Sequence, residues 1–358
     1  MDKQNIDIDN MHGDIYKFSE QVRHAVDIGR QFTLKKQITS LRNVIIVGMG
    51  GSAIGGDILC ALIKDELKIP VVVSRQYSIP NWANEKTLVI CSSYSGNTEE
   101  TLSAYEDALQ KGTEIIGITT GGELMKRLDK ERFDYIKIPG GLQPRAALAY
   151  SFIPMLFLMQ KLGLISDRFC YNLESLIDLL NVKREEYGSS SAKNPTYSLA
   201  QQIYTKIPVI YGEADSTNII AMRWKGQFCE NAKMLAYHNE LPELNHNEIV
   251  GWKHPAQALR AFLPIFLWDR EDDPHVQIRS KLTRQLIEEK TGASLGYSGE
   301  GESWWERLWT LILLGDYASV YLGLLNQEDP TPVDIIETLK KRVKKLKGTI
   351  NNQKPSQE

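Results

Sequence analysis

Two loops in the first third of the sequence carry residues that could bind an anion. The first, Gly48-Met-Gly-Gly-Ser-Ala-Ile-Gly-Gly-Asp57, follows the β-branched residues 44–47, and the second, Ser92-Ser-Tyr-Ser-Gly-Asn-Thr98, carries four aliphatic hydroxyls in seven positions. A loop between a buried strand and a helix presents backbone N–H groups to an anion, and hydroxyls add further donors. Helix capping would explain one or two of these hydroxyls but not four. The loops therefore predict a site for a small phosphorylated ligand, and without a lysine the second is not a Walker A loop.

The first loop leaves a second interpretation open. Residues 48–53 also fit the dinucleotide fingerprint G-x-G-x-x-A, a short pattern with a high false-positive rate. An NAD site would place an acidic residue about 20 residues further on, at the end of the second strand. The chain has Val73-Ser-Arg75 there, and an arginine suits the 2′-phosphate of NADP. An NADP-dependent oxidoreductase therefore remains an alternative.

The elements that must position these loops alternate along the chain. Apolar segments predict strands at 44–47, 71–73, 87–92, 114–118 and 135–138, and helical patterns predict helices at 54–66, 97–111 and 122–130. Short apolar strands joined by helices indicate an α/β fold with a doubly wound parallel sheet. A second α/β pattern, with strand 207–212, helix 219–233 and strand 261–268, follows the small polar residues 188–195. The length of 358 residues also suits two domains, which we expect at residues 1–187 and 188–358.

Other segments complete this outline. Residues 1–35 predict one amphipathic helix with a break near Gly29, and Pro264 argues against a central position for strand 261–268. A loop is expected at 292–303. Further helices are expected at 146–164, 173–186, 276–290, 304–325 and 331–346.

Composition narrows the class of protein. A formal net charge of -3 argues against a nucleic-acid partner, which would require a basic excess. Neither the cysteines nor the histidines have a usual metal-ligand spacing, so we expect no metal and no other cofactor. The residues concerned are Cys60, Cys91, Cys170, Cys229, His238, His246 and His254.

The sequence also bears on location. Residues 304–325 form the longest apolar stretch, but Glu306, Arg307 and Asp316 interrupt it. No other run approaches the ~20 residues that span a membrane. The polar, acidic N-terminus lacks the features of a signal peptide. We therefore expect no membrane partner and a cytoplasmic location.

Four motifs occur together and in order. They are Gly48 to Asp57, Ser93-Tyr-Ser-Gly-Asn-Thr-Glu-Glu-Thr101, Pro144-Arg145 and Glu243-Leu-Asn-His-Asn-Glu248. The set resembles the bifunctional phosphoglucose/phosphomannose isomerase family, which is built from two flavodoxin-like sugar isomerase (SIS) domains. The Ser-Gly-Asn-Thr loop is typical of any SIS domain that binds a sugar phosphate, and the last motif narrows the resemblance to this family. The resemblance covers nearly the whole chain.

The resemblance implies a role for individual residues. Hydroxyls bind the phosphate, two residues of the first loop face the sugar, and four side chains carry the chemistry. The phosphate-binding residues are Ser93, Ser95 and Thr98; those facing the sugar are Gly51 and Ser52; the catalytic ones are Arg145, Glu230 (the base), His246 (ring opening) and Lys340. In relatives the histidine comes from the neighbouring subunit, so the resemblance also implies a homodimer. Considered singly, Glu230, Arg145 and His246 would be ordinary surface or structural residues.

The expected reaction interconverts glucose 6-phosphate and mannose 6-phosphate with fructose 6-phosphate through a cis-enediol, as in glycolysis and gluconeogenesis. One carboxylate within reach of C1 and C2 can move the proton. A non-catalytic SIS regulator would share the hydroxyls but would not need Glu230, Arg145 and His246 together. A glutamine-dependent amidotransferase would need an N-terminal cysteine, whereas this sequence starts Met1-Asp2.

Overall fold

The structure is a computed structural model that describes residues 6–171, 173–189, 191 and 193–352. Its first part contains five strands, namely β1 Asn43–Val47, β2 Val71–Ser74, β3 Thr87–Ser93, β4 Glu114–Thr119 and β5 Asp134–Lys137. The helices of this part are α1 Met11–Tyr16, α2 Phe18–Gln31, α3 Gly50–Ile63, α4 Glu99–Gln110, α5 Gly122–Glu131, α6 Leu148–Lys161, α7 Arg168–Tyr171 and α8 Leu173–Tyr187. A short 3₁₀ helix, Pro144–Ala146, precedes α6.

The second part begins with α9 Pro195–Ile203. Its strands are β6 Ile207–Glu213, β7 Tyr237–Leu241, β8 Phe262–Trp268 and β9 Leu295–Ser298. Its other helices are α10 Asn218–Asn231, α11 Glu248–Gly251, α12 Pro274–Thr291, α13 Trp304–Leu325 and α14 Asp334–Asn352. Two 3₁₀ helices, Glu243–His246 and Ala256–Ala261, lie in its connections.

Both sheets are parallel and wound in the same order. The first runs β2-β1-β3-β4-β5, and the second runs β7-β6-β8-β9. This is the flavodoxin-like order, in which the winding direction reverses between the first and third strands. The predicted α/β fold with two doubly wound sheets is confirmed. The boundary between residues 187 and 188 stays a prediction, and residues 190 and 192 of the expected linker lie outside the described residues.

Side-chain alternation along the strands explains the layers. Ile45 and Val89 face α4 and α5, whereas Ile46 and Ile90 face α3 and α6 on the other side of the first sheet. The inner layer continues into the second sheet through residues such as Ile210. The two sheets therefore share one large hydrophobic core.

Helix α13 lies at the centre of that core. It is long and apolar enough to cross a membrane by composition alone, with a mean hydropathy of 1.5, but 94% of its apolar window is buried inside the protein. Trp309 packs its ring against Phe18 and Phe152, which come from the first part of the chain. This helix therefore joins the two parts as a core helix.

The N-terminal segment differs from the prediction. Two helices, α1 and α2, replace the single predicted helix, and α2 continues through Gly29 without the expected break. A Cβ atom on Gly29 would lie 2.4 Å from the Phe157 ring. Glycine is therefore present because α2 packs closely against α6, and it does not end the helix.

The second sheet also departs from the prediction. The expected loop at 292–303 contains β9, and the polar segment Tyr237–Leu241 forms β7, which has no apolar strand pattern. Strand β8 lies inside the sheet despite Pro264. Its pairing with β9 starts at Ile265, so at Pro264 the only paired neighbour among the described strands is β6. The missing N–H group is tolerated there because only one side of the strand requires pairing.

Candidate active site

The glycine-rich turn after β1 brings two parts of the chain together. Gly50 has a left-handed φ of 49°, which suits glycine, and α3 begins at this residue. A Cβ atom on Gly51 would lie 2.5 Å from the Pro144 carbonyl oxygen. The turn that carries Arg145 can therefore lie directly against the start of α3 because residue 51 has no side chain.

The hydroxyl-rich loop, residues 92–98, lies beside this turn. Tyr94 donates its backbone N–H to Ser52 Oγ at 3.2 Å, and Ser93 Oγ donates to Thr98 Oγ1 at 3.0 Å. Ser95 is exposed, and its Oγ accepts the Asn97 N–H at 3.2 Å. Thr98 stands at the N-cap of α4 without a capping bond from its side chain. The structure thus brings the predicted phosphate-binding residues to the carboxyl ends of β1 and β3, where parallel sheets of this order bind ligands.

The corresponding edge of the second sheet has a different character. A cavity of about 430 Å³ lies there, and its walls carry both acidic side chains (Glu213, Asp269 and Asp272) and basic ones (Arg270, Lys281 and Arg284). Carboxylates repel a phosphate, and Asp269 is already paired with Arg307 at 2.6 Å. The first sheet is the better candidate for the phosphate site, because its loop offers hydroxyls at the N-terminus of α4.

Arg145 lies between the two sheets and is 4% exposed. Its Nε donates to Asn231 Oδ1 at 2.6 Å, and its Nη2 donates to the carbonyl oxygens of Pro330 and Thr331, each at 2.8 Å. Burial lowers the pKa of this guanidinium, and the nearby Glu230 carboxylate opposes that shift. The side chain is therefore fixed in place, in contrast to an ordinary surface arginine.

Glu230 reaches the same point from α10. Its Oε2 lies 3.4 Å from Arg145 Nη1, and its side chain is 35% exposed. Both residues line a cleft of about 130 Å³, and its walls also include Gly50, Gly51 and Gly226. We call this space the inter-sheet cleft. It places a carboxylate and a guanidinium beside the glycine-rich turn, which is an arrangement for moving a proton next to a stabilised negative charge.

Arg75, considered above for a 2′-phosphate, also borders the inter-sheet cleft. Its guanidinium forms an ion pair with Asp57 of α3. The charge that an NADP phosphate would require is therefore already compensated within the protein.

Two of the predicted catalytic residues lie outside the cleft as the structure describes it. His246 is exposed at the end of the 3₁₀ helix that follows β7. Lys340 lies on the exposed helix α14, where its Nζ pairs with Glu337 at 2.7 Å. This helix starts just after Thr331, and its Lys347 pairs with Glu99 at the start of α4. Lys340 thus lies on a helix that links the Arg145 region to the hydroxyl-rich loop.

Sequence reasoning missed the polar residues behind Arg145. Asp316 of α13 is buried and accepts two bonds from Arg223, at 3.0 and 2.6 Å, and one from Gln227 at 2.9 Å. Asn231 donates to Ser319 Oγ at 2.8 Å. Arg223, Gln227 and Asn231 recur at intervals of four, which places them on one face of α10. This spacing could have indicated the buried polar cluster, because polar side chains along one face of a buried helix need hydrogen-bond partners.

Among the residues that the structure describes, His, Cys, Asp and Glu side chains do not form any group of three or more that could hold a metal ion.

Family models match both halves of the chain. Residues 37–162 match the SIS domain, and residues 192–343 match the bacterial phospho-glucose isomerase C-terminal SIS domain. The two sheets are therefore two SIS domains.

Named relatives match the chain almost end to end. A protein of Caldicellulosiruptor bescii named bifunctional phosphoglucose/phosphomannose isomerase is 46% identical over 94% of this chain and 100% of the relative. One of the same name from Aquifex aeolicus is 35% identical over 87% of this chain and 93% of the relative. The solved C-terminal domain of glucosamine-fructose-6-phosphate aminotransferase from Francisella tularensis has a TM-score of 0.71, with 13% identity over 90% of this chain and 98% of that domain. At that identity it shows the fold alone.

Proposed function

The chain belongs to the bifunctional phosphoglucose/phosphomannose isomerase family and is an aldose–ketose isomerase; from this premise we propose that it interconverts glucose 6-phosphate and mannose 6-phosphate with fructose 6-phosphate. The observation that carries the proposal is the approach of Glu230 to Arg145, at 3.4 Å, in the inter-sheet cleft. Arg145 comes from the first half of the chain and Glu230 from the second, and both line the cleft beside the glycine-rich turn.

The phosphate is proposed to bind at the hydroxyl-rich loop. Ser93, Ser95 and Thr98 supply hydroxyl donors, and the N-terminus of α4 supplies backbone N–H groups. Gly51 and Ser52 face the sugar beside the phosphate. The position of these residues at the carboxyl ends of β1 and β3 supports this assignment.

The proton transfer is assigned to Glu230. Its carboxylate removes the proton from C2 of the aldose and returns it to C1 of the enediol, which yields the ketose. The buried Arg145 guanidinium stabilises the negative charge that develops on the enediolate oxygen. An enediol has no stereochemistry at C2, so one base can serve both epimeric aldoses if the sugar can turn in the cleft. Thr331, whose carbonyl holds Arg145, lies where it could affect that turning.

Ring opening is proposed to need a second chain. His246 suits this step because an imidazole ring can both accept and donate a proton. In one chain it is exposed outside the inter-sheet cleft, so we assign it to the site of a partner subunit in a homodimer. Lys340 is proposed to assist as an ammonium group. We place the enzyme in the cytoplasm, in glycolysis and gluconeogenesis, which fits the free thiols of Cys60, Cys91 and Cys229.

The substrate assignment is tested with purified protein that has been treated with a chelator. Glucose 6-phosphate and mannose 6-phosphate are supplied separately, and fructose 6-phosphate is measured. We expect product from both. A protein that bound both sugars and converted neither would be a non-catalytic sensor, and conversion of one alone would remove the dual specificity.

A further inference from the structure

The Arg145 guanidinium is held on two of its three nitrogens by neutral acceptors. An arginine has five N–H donors and no acceptor. Nε is occupied by Asn231 Oδ1 at 2.6 Å, and both Nη2 hydrogens are directed to the Pro330 and Thr331 carbonyls, each at 2.8 Å. Nη1 remains on the side of the cleft, where Glu230 Oε2 lies at 3.4 Å. The bonds to Nε and Nη2 thus decide which edge of the guanidinium faces the substrate.

Asn231 is itself fixed from behind. It is 0% exposed, and its Nδ2 donates to Ser319 Oγ at 2.8 Å, while Ser319 Oγ donates to the Asp316 carbonyl at 2.6 Å. Because Arg145 can only donate, the amide oxygen of Asn231 must face Nε and its NH₂ group must face Ser319. The orientation of the amide is therefore dictated by its two neighbours.

A buried acid of α13, Asp316, bonds to side chains other than Arg145. Asp316 accepts its bonds from Arg223 and Gln227, and Arg223 Nη2 also donates to the Arg145 backbone carbonyl at 3.0 Å. Among the described residues, Glu230 is the only carboxylate paired with the Arg145 guanidinium. Burial also lowers the Arg145 pKa, as expected for a cation without full compensation.

We propose that Asn231 is a positioning residue of the isomerisation: its neutral oxygen turns Arg145 Nη1 toward the cleft and leaves the positive charge free to stabilise the enediolate. The proposal rests on the proposed function. An aspartate at this position would still accept from Arg145 Nε, but it would lose the donor to Ser319 Oγ and would neutralise the charge on which the enediolate depends. It would also place a second negative charge near Glu230.

The test is Asn231→Asp, which keeps the shape of the side chain, adds a negative charge and removes the bond to Ser319, an effect that Ser319→Ala measures separately. We expect kcat to fall about 10- to 100-fold, below the full effect of removing an oxyanion donor. KM should change little, because the phosphate is bound by the first domain. The acid limb of the kcat–pH profile should move to higher pH, because the added negative charge lies near the carboxylate of the base.

Controls separate positioning from folding. Asn181→Asp adds the same charge at the contact between α8 and Ser19, where its oxygen still accepts the Ser19 hydroxyl, and should leave kcat and the pH profile unchanged. Ser319→Ala removes the anchor of the Asn231 amide, together with the Ser319 bond to the Asp316 carbonyl, without adding a charge. It should lower kcat several-fold, by about the effect of one hydrogen bond, without moving the acid limb. If Asn231→Asp fails to fold, the kcat of Ser319→Ala tests the proposal instead.

An Asn231→Asp enzyme with wild-type kcat and acid limb would overturn the proposal. So would a folded Ser319→Ala enzyme with unchanged kcat, if Asn231→Asp fails to fold. A wild-type protein that converts neither sugar would instead refute the proposed function, and the role of Asn231 would fall with it.

Discussion

At the scale of residues, the proposed reaction depends on a carboxylate and a guanidinium that meet from different halves of the chain. Arg145 is buried and fixed, whereas Glu230 keeps a 35% exposed side chain at the edge of the cleft. This difference suits their roles, because the base must reach two carbons of the substrate while the arginine must stay in place.

Replacing Glu230 by glutamine keeps the shape of the side chain and removes its ability to accept a proton. We expect kcat to fall about 10³- to 10⁴-fold, within the range that general base catalysis supplies. Binding of fructose 6-phosphate, measured by calorimetry, should persist because the phosphate-binding hydroxyls are unchanged. The exposed Glu289 of α12 offers a matched control, and Glu289→Gln should be fully active. Near-normal turnover by Glu230→Gln would mean that another group is the base.

The residue types of the phosphate site could be predicted from the sequence, because hydroxyls after two neighbouring parallel strands must meet at one edge of a sheet. Ser93 and Thr98 do so at 3.0 Å. The polar residues behind Arg145 could not be predicted in the same way. Asn231 and Ser319 are 88 positions apart and meet only because α10 packs against α13.

At the scale of elements, α14 is the helix whose role the sequence leaves least defined. It follows Thr331, which holds Arg145, and its Lys347 pairs with Glu99 beside the hydroxyl-rich loop. The stretch from Asp334 to Lys347 is about 20 Å long at 1.5 Å per residue. A helix of this length extends from the Thr331 end of the proposed site to the hydroxyl-rich loop, so its lysines lie along the site.

Substitution of the lysine that assists the reaction should lower activity, whereas substitution of its neighbours on α14 should not. We expect Lys340→Ala to lower kcat about 10- to 100-fold, since it removes one assisting acid. Lys344→Ala, one turn further along the same exposed helix, should match the wild type. Steady-state kinetics with both sugars checks this. If Lys344→Ala were the impaired variant, the assignment to Lys340 would be wrong.

The carboxyl edge of the second sheet gives a prediction about stability. Burial, followed by the charge of Asp272, raises the pKa of Glu213 to about 7. The folded protein therefore binds a proton that the unfolded chain releases near pH 4.5, so stability from this group is lost as the pH rises from about 4.5 to 7. Glu213→Gln avoids that loss. The melting temperature of Glu213→Gln minus that of the wild type should therefore be more positive at pH 8 than at pH 5.

Glu289→Gln is the control for that comparison, because an exposed glutamate should give the same difference at both pH values. A Glu213→Gln protein whose difference from the wild type did not change with pH would contradict the raised pKa. Thermal melts followed by circular dichroism are sufficient, since only the direction of the difference is needed.

Apolar strands such as β1 and β3 were predictable because burial on both faces requires continuous β-branched and aliphatic residues. The edge strands β7 and β9 were missed because they are partly exposed and lack that pattern. Their strand form comes from pairing with β6 and β8, which is tertiary information.

At the scale of the whole molecule, two domains of related fold contribute different residues to the proposed site. The first sheet carries the hydroxyls at its switch point, while the matching edge of the second sheet carries both acidic and basic side chains. The second domain instead contributes α10, whose Glu230 enters the cleft beside the first domain. A shared core through α13 holds this arrangement together.

The assembly is proposed to extend to a second chain, because His246 lies outside the cleft of its own chain. If the histidine acts across a dimer, a mixed dimer of Glu230→Gln and His246→Ala chains contains one intact site and one doubly defective site. Each variant alone should have little activity, and the sedimentation coefficient of the wild type should be that of a dimer.

The most direct measurement is therefore the isomerase activity of the two variants produced together in one cell. Random pairing makes half of the dimers mixed, and each mixed dimer restores one of its two sites, so activity should return to about a quarter of the wild-type value. A mixture no more active than the separate variants would contradict a site shared between chains.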